Sequence, residues 1–537
     1  MTVLKKPFFP DIAGPAIPAF VKPVFWTAAF LLISIIHFPP QRILSFFPHS
    51  QLDTHVLAGL RASFFLFGLV VMFLPIYSCI ILHFKNRSKQ IILTLFKTFL
   101  WTVFIYIILS LLAAPYWPNQ AAGHITGLRL QYEQMAQDPF GTNTEIVFRR
   151  LFMPGLAYFL GFSSGGYGIF VELCTFFLIW AISIFLYTRI KIPGRFSSSF
   201  VFLLALSFAS SSFVIGCLPC PGFPDPLALF LLLVPTLLPL SSLARLAIST
   251  LALMTHEGAA FIILPLALFF YPRRELKGHL ILLGLFALGW AASYHFDLRG
   301  ALTAHDIIGP NSRRMDWLHK FFLVIFGIFI SFKFFWAFVP DALILPQGPE
   351  GAAIRKGIIA ILISIFLFLL MAWDTTRLTG FAFLAILFSV VIVLQNGIFQ
   401  RFLLPITLLL VANLLLPTYD VMLRPPGMEN PRNYRFEGAY LTIDKFLEAP
   451  LKKLYWPGHG LEITSPGLKE EYYDLGNAYT KGKFFTQAID AYSRAIKIDP
   501  AYKEAYRYRA VVYYQLKEYD KAQEDIRRLK ALEGQYE

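Results

Sequence analysis

His256 and Glu257 stand side by side between two apolar runs, in the stretch LMTHEGAAFIILP (residues 253–265). Ionisable groups are costly in a membrane, so those kept at the boundary of a hydrophobic segment are candidates for binding or chemistry. A zinc site of the H-E-x-x-H type is not indicated, because position 260 is Ala. We therefore treat both residues as substrate-binding candidates. Placement of Glu257 at a helix N-terminus is the purely structural alternative.

Other charged residues stand at the edges of apolar runs in the same way. Asp225, in PGFPDPLALFLLL, either binds substrate or caps a helix, because Pro226 suits the first helical position. Asp374 and Arg377 are spaced i and i+3, so they either pair with each other or bind substrate. A planar guanidinium such as that of Arg377 can grip phosphate in two-pronged fashion.

The loop 114–150 carries the largest group of candidates. Its part 120–137 predicts an amphipathic helix on the bilayer surface, with Ile125, Leu128, Tyr132 and Met135 on the apolar face. The polar side chains would then project near the mouth of the helix bundle, and a merely solvated interfacial helix is the alternative. The candidate ionisable residues of the loop are His124, Arg129, Glu133, Asp138, Arg149 and Arg150.

The composition places all of these residues in a membrane protein. The chain of 537 residues is 56% hydrophobic and 15% charged, whereas soluble domains average about 25% charged residues. Apolar runs long enough to cross a bilayer recur along the first part of the chain. The sequence predicts an all-α fold: a polytopic bundle of about 11–13 spans at 24–416, a linker at 424–468 and a soluble domain at 469–537.

Short basic loops predict the orientation of the bundle. They read FKNRSKQ (84–90), TRIKIPGR (188–195), YPRRELKG (271–278) and IRKG (354–357). Alternating the spans puts all four, and the N-terminal segment 1–23, in the cytoplasm. The loop 114–150 and the C-terminal domain then lie outside, in the periplasm of a bacterial inner membrane. The weak point is 227–255, broken by Pro235 and Pro239, since merging it into one crossing would invert the orientation of every later span.

The charge and cysteine patterns exclude other classes. The net charge is +14, but no basic stripe with interleaved aromatics is present, so we expect no nucleic-acid partner. Cys217 and Cys220 form a single C-x-x-C, which cannot complete a zinc site alone. The sequence indicates no cofactor. A divalent metal is compatible with the external acids, although no motif calls for one.

Residues 469–537 show a 34-residue period. Such a period is typical of tetratricopeptide (TPR) repeats, in which small residues allow two helices to cross closely and large ones fill the space between hairpins. This part resembles two TPR units, and the resemblance implies a protein or peptide partner on the repeat surface. Packing onto the chain's own membrane part is the alternative. The matching residues are Tyr472, Leu475, Gly476, Tyr479, Ala488, Tyr492, Ala495 and Pro500, then Tyr506, Ala510, Tyr513, Ala522 and Leu529, with Arg509 at a position of Leu type.

The order of segments over 91–416 resembles the GT-C type of integral membrane glycosyltransferases. The resemblance rests on a long external loop followed by RRLFMPGLAYFLG (149–161), PDPLALFLLL (224–233) and THEGAAFIILP (255–265). It implies a donor sugar linked to polyprenyl phosphate, which enters sideways from the membrane lipid, and an acceptor on the external side. It also implies an acidic base in the first large external loop.

In such a transfer, a base takes the proton of the acceptor hydroxyl and cations hold the departing phosphate. The resemblance makes Asp138 or Glu133 the base, with His124 as a third choice. The remaining candidates bind phosphate or orient hydroxyl groups: Arg129, Arg149, Arg150, Arg377, Asp225, His256, Glu257 and Asp374. Two rival classes stay open, a membrane-anchored TPR scaffold for an envelope complex and a transporter, although no inverted repeat is apparent.

Overall fold

A computed structural model of the chain describes most of the predicted helices. Every regular element among the described residues is an α-helix or a 310 helix, as the sequence predicts. The loop 114–131 and the linker 424–467 lie outside them. The described residues are 21–37, 54–85, 88–113, 132, 135–140, 150–162, 166–190, 192, 197–215, 225–293, 328–329, 331–345, 349–370, 379–396, 402–415, 468–481 and 485–533.

The apolar part contains fifteen described α-helices and two 310 helices (Lys333–Ala337 and Gly380–Ala382). The α-helices are α1 Val21–His37, α2 Thr54–Lys85, α3 Ser88–Ala113, α4 Phe152–Phe159, α5 Tyr167–Arg189, α6 Ser197–Ala209, α7 Ser212–Ile215, α8 Asp225–Leu237, α9 Ser242–Thr255, α10 Ala259–Phe269, α11 Arg273–Ser293, α12 Phe338–Ile344, α13 Pro349–Leu370, α14 Phe383–Gln395 and α15 Leu403–Leu415.

Five of these helices are long and apolar enough to cross a membrane: parts of α2, α3, α5, α11 and α13. α2 also exposes large apolar side chains, such as Phe73, Leu74 and Tyr77. A helix that is apolar all round suits contact with lipid on the side that faces away from its neighbours. These helices indicate a membrane protein. Seven shorter apolar helices accompany them among the described residues, so the predicted span count stays a prediction.

α8, α9 and α10 form the centre of the bundle. α8 packs against α5 and α9, and α10 packs against α13. α8 and α9 have 13 and 14 residues, or about 20 Å each at 1.5 Å per residue. Each is therefore shorter than the hydrocarbon core of about 30 Å.

The apolar run 320–339 is not one continuous helix where the structure describes it. Lys333 has a φ of 50° and begins a 310 helix. A left-handed residue cannot occupy the interior of an α-helix, so the chain turns here before α12 begins. The Lys333 ammonium is buried and contacts the carbonyl oxygens of Ser210 and Asn413 at 3.5 and 3.3 Å. The lysine thus satisfies carbonyls beyond the end of α6 and in the last turn of α15.

The C-terminal part consists of two helical hairpins, built from α16 (Leu468–Lys481), α17 (Phe485–Ile498), α18 (Lys503–Gln515) and α19 (Tyr519–Glu533). α16 packs against α17, α17 against α18, and α18 against α19. Tyr492 of α17 is fully buried and lies against Gly476 of α16. The small residue allows the close crossing that the repeat pattern predicts. The TPR fold of this part is therefore confirmed.

Candidate functional site

His256 and Glu257 lie on the turn between α9 and α10, not inside a helix. His256 leaves the helix with extended backbone angles, φ −156° and ψ 129°. The Nδ1 atom of its ring accepts a hydrogen bond from the Gly258 N–H at 2.9 Å. A Cβ at Gly258 would lie 3.0 Å from that ring nitrogen and 3.0 Å from Phe368. The turn therefore favours glycine at this position.

The other ring nitrogen of His256 faces the start of α8. Its Nε2 lies 3.5 Å from Oδ1 of Asp225, the first residue of that helix, and both side chains are buried. Because Nδ1 accepts a backbone N–H, the ring is assigned as the neutral tautomer with its proton on Nε2, toward the carboxylate. His256 thus lies behind the turn, between Asp225 and the backbone of Gly258.

Glu257 forms a two-pronged ion pair with Arg150. Nε of Arg150 donates to Oε2 of Glu257 at 2.9 Å, and the terminal Nη2 donates to Oε1. The remaining terminal nitrogen, Nη1, donates to the hydroxyl of Tyr132 at 2.9 Å. The side chains of Arg150 and Glu257 are 17% and 39% exposed. The pair therefore lies at an accessible boundary of the bundle.

Electrostatics keep this pair ionised. Partial burial disfavours a charged carboxylate, but the guanidinium of Arg150 outweighs this effect and holds the pKa of Glu257 well below its ordinary value. In the same way, Glu257 more than offsets the burial of Arg150 and raises the pKa of its guanidinium. A carboxylate of low pKa is a weak general base and a good hydrogen-bond acceptor. Glu257 is therefore suited to orienting hydroxyl groups.

Tyr132 holds Arg150 from the other side, and residues 135–140 follow it in the described part of this segment. Tyr132, Met135 and Phe140 are buried, and the first two belong to the apolar face of the predicted interfacial helix. Arg61 of α2 donates to the carbonyl oxygen of Phe140 and, at 3.0 Å, to that of Ile35. Residues 132 and 135–140 are thus tied to α2 through Arg61 and to the turn through Arg150.

Asp138 is exposed on this segment and close enough to Arg61 to interact with it electrostatically. Four of the predicted site residues, Arg150, Asp225, His256 and Glu257, lie in one continuous set of contacts. We call this set, together with Tyr132, the polar centre. The other predicted site residues lie outside the described residues: His124, Arg129, Glu133, Arg149, Asp374 and Arg377.

Tyr132 enters the polar centre although the sequence placed it only on an apolar face. A tyrosine carries a hydroxyl that seeks a partner when the ring is buried, and this is the one signal that could have indicated its role. No group of three or more His, Cys, Asp or Glu side chains within the described parts of the chain is arranged to hold a metal ion. The polar centre is thus an arginine, a histidine and two carboxylates with a tyrosine.

A second arginine–glutamate pair lies at the opposite end of α9. Nε and Nη2 of Arg245 donate to Glu275 of α11 at 2.9 and 2.7 Å. The hydroxyl of Ser242 donates to the same carboxylate at 2.7 Å. The side chains of Arg245 and Glu275 are only 0% and 2% exposed. The sequence did not reveal this pair, because Glu275 stands inside the basic stretch YPRRELKG. Its dry surroundings indicate a structural link between α9 and α11.

In the C-terminal hairpins, Arg509 has a structural role. It donates to both oxygens of the buried Asp525, at 2.8 and 2.6 Å, and to the hydroxyl of Ser493 at 2.7 Å. An ion pair with a buried aspartate thus stands where the repeat pattern asks for Leu. α18 meanwhile exposes Tyr508, Val511 and Tyr514, which are spaced three residues apart and so lie on a shared side of the helix.

Comparison with known proteins bears on the C-terminal part. A family model described as TPR repeat matches residues 472–517. Among curated proteins, and among solved structures, no significant match to the chain was found. The match agrees with the two described hairpins and with the 34-residue period. Residues 472–517 are a TPR repeat, carried by a chain whose apolar helices indicate a membrane protein.

Proposed function

We propose that the membrane part of this TPR protein is a glycosyltransferase of the GT-C type. It would transfer a sugar from polyprenyl phosphate to an acceptor on the external side of the membrane. The observation that carries this proposal is the polar centre, in which Arg150 and Glu257 form an accessible two-pronged pair backed by buried His256 and Asp225. Charged side chains at the edge of an apolar bundle carry a free-energy cost. Their presence at such a position therefore favours a function for them.

The transfer would proceed in one displacement. The acceptor hydroxyl oxygen forms a bond to the anomeric carbon, and the bond from that carbon to the phosphate oxygen breaks with its electron pair. The hydroxyl proton passes to the carboxylate of Asp138, which is exposed at the end of the loop. Arg150 would stabilise the departing phosphate, and ionised Glu257 would orient hydroxyl groups. His256 and Asp225 would position the turn.

The test is release of polyprenyl phosphate from a panel of polyprenyl-phosphate sugars by the purified chain in liposomes. We expect wild type to release it in the presence of an acceptor, and Asp138→Asn and Glu257→Gln to lower turnover while folded yield is unchanged. Tyr514→Ala is the matched control, since this exposed side chain lies on the TPR part. Equal turnover in wild type and both acid variants would refute the proposal.

A second candidate function is a membrane-anchored scaffold. The TPR match at 472–517 and the exposed Tyr508, Val511 and Tyr514 on α18 favour it. Exposed aromatic side chains are common in protein–protein contacts. If the protein is a scaffold, substitutions on the TPR surface should impair its function and substitutions of the acidic residues should not, whereas a transferase predicts the reverse. Tyr508→Ala and Tyr514→Ala should abolish capture of an envelope protein by the full chain, while Glu257→Gln has no effect on it.

A further inference from the structure

One arginine–glutamate pair lies at each end of α9. The two pairs differ in their exposure to solvent, which decides whether a ligand can reach them. In both, the guanidinium grips the carboxylate with Nε and one terminal nitrogen. The Arg245–Glu275 pair is almost completely buried, at 0% and 2% exposure, whereas Arg150 and Glu257 keep 17% and 39%. A ligand from the membrane boundary can therefore reach only the Arg150–Glu257 pair.

Arg150 binds Glu257 with the same two-pronged hydrogen-bonding geometry that a guanidinium uses to bind phosphate. Two parallel N–H groups bind two oxygens of either anion in the same plane. Nε and both terminal nitrogens of Arg150 already have partners, two on Glu257 and one on Tyr132. A phosphate can take the position against Nε and Nη2 only if the carboxylate of Glu257 leaves it.

We propose that Glu257 is an exchangeable placeholder that occupies Arg150 until a phosphate monoester or diester displaces it. This inference rests on the proposed function for its ligand class, and it names the regulation of the same site. Displacement leaves Arg150 with a full anionic partner, so no unpaired positive charge is created. It also frees the carboxylate of Glu257 for an acceptor or sugar hydroxyl at the moment when the donor is bound.

Two features of the turn suit this exchange. The exposed side of the Glu257 carboxylate can be hydrated when it leaves Arg150, which lowers the cost of separation. The backbone of the turn is held independently, by the hydrogen bond from Gly258 N–H to His256 and by the contact of His256 with Asp225. A side-chain rotation therefore suffices. In the buried Arg245–Glu275 pair the same exchange would leave the carboxylate of Glu275 charged and without its partner, away from water, which is costly.

Binding of two probes to the purified full-length protein in detergent tests the exchange. The probes are inorganic phosphate and farnesyl phosphate, measured by calorimetric titration. Glu257→Gln keeps the shape of the side chain but removes the competing charge, so we expect about tenfold tighter phosphate binding than in wild type. Arg150→Gln should abolish binding. Tyr514→Ala, an exposed position on the TPR part, should leave the affinity unchanged.

If Glu257→Gln lowers the folded yield, Glu257→Asp provides the second variant, because a shorter side chain weakens the two-pronged grip and should also tighten phosphate binding. A gain with farnesyl phosphate assigns the site to a lipid phosphate, and a gain with inorganic phosphate alone assigns it to a free one. Equal or weaker binding in both Glu257 variants overturns the exchange, even if wild type transfers sugar. Tighter binding without any sugar transfer supports the exchange and refutes the proposed function.

Discussion

The contact between Gly476 and Tyr492 in the TPR part allows a prediction with a defined magnitude. A Cβ added to Gly476 would lie 2.4 Å from the Tyr492 ring, which is fully buried and cannot move aside. Such overpacking costs about 3 kcal/mol at the upper end of its range. Replacing a helical glycine by alanine returns about 1 kcal/mol. We therefore expect Gly476→Ala to destabilise the TPR part by about 2 kcal/mol.

Removing the ring should reverse the sign of this effect. Tyr492→Ala alone should cost about 3–5 kcal/mol, because it leaves a cavity between α16 and α17. In that background Gly476→Ala meets no ring, so it should stabilise by about 1 kcal/mol. The two mutations are thus coupled by about 3 kcal/mol. Tyr492→Phe should cost about 1 kcal/mol, because it removes the hydrogen bond from the hydroxyl to Asn477 at 2.8 Å.

Pulse proteolysis of the full-length protein in increasing urea measures these energies, read from the loss of a C-terminal epitope. Tyr514→Ala serves as the control, because its side chain is 65% exposed and its loss should cost about 0.5 kcal/mol. If Gly476→Ala destabilises equally with and without the Tyr492 ring, the close crossing of α16 and α17 is not the reason for the glycine.

Three further predictions concern the rest of the chain. Glu275→Gln should lower the stability of the membrane part by about 3–5 kcal/mol, seen in thermal unfolding, because Arg245 is left charged in a dry site; an unchanged unfolding temperature would contradict this. The Lys469 hydrogen bond lowers the pKa of Asp499 from 3.8, so its stabilisation is present above pH 3.8 and is lost as the pH falls through the lowered value. The urea midpoint of wild type should therefore exceed that of Lys469→Met above pH 3.8 and approach it as the pH falls below that value, and a constant gap would refute the pairing. A reporter active only outside the cytoplasm should be active after Glu537, and silence would invert the topology.

Local patterns in the sequence predicted the helical elements well. The 34-residue period identified the two hairpins, because each repeat position has a fixed packing role, as Tyr492 and Gly476 show. Apolar runs likewise predicted most helices of the membrane part. The interruption at Lys333 was missed, since a left-handed lysine leaves no trace in a hydrophobic pattern.

Four members of the polar centre stood out in the sequence as single residues, but their contacts with one another did not. Asp225 and Glu257 stood out because charge beside an apolar run is unusual. The pairing of Glu257 with Arg150, 107 residues away, depends on how the loop that ends at Arg150 packs. The partnership of Arg245 with Glu275 depends likewise on the crossing of two helices. Tertiary packing selects such partners, and one sequence does not encode the choice in any local pattern.

An experimental structure of the full-length protein with a bound polyprenyl-phosphate sugar would decide whether the polar centre is the site of sugar transfer. We expect the phosphate within hydrogen-bond distance of Arg150, with Glu257 turned from the guanidinium toward a hydroxyl of the sugar or acceptor. The exposed carboxylate of Asp138 should face the anomeric carbon. A phosphate bound elsewhere in the bundle, with the Arg150–Glu257 pair intact, would contradict both the proposed function and the exchange.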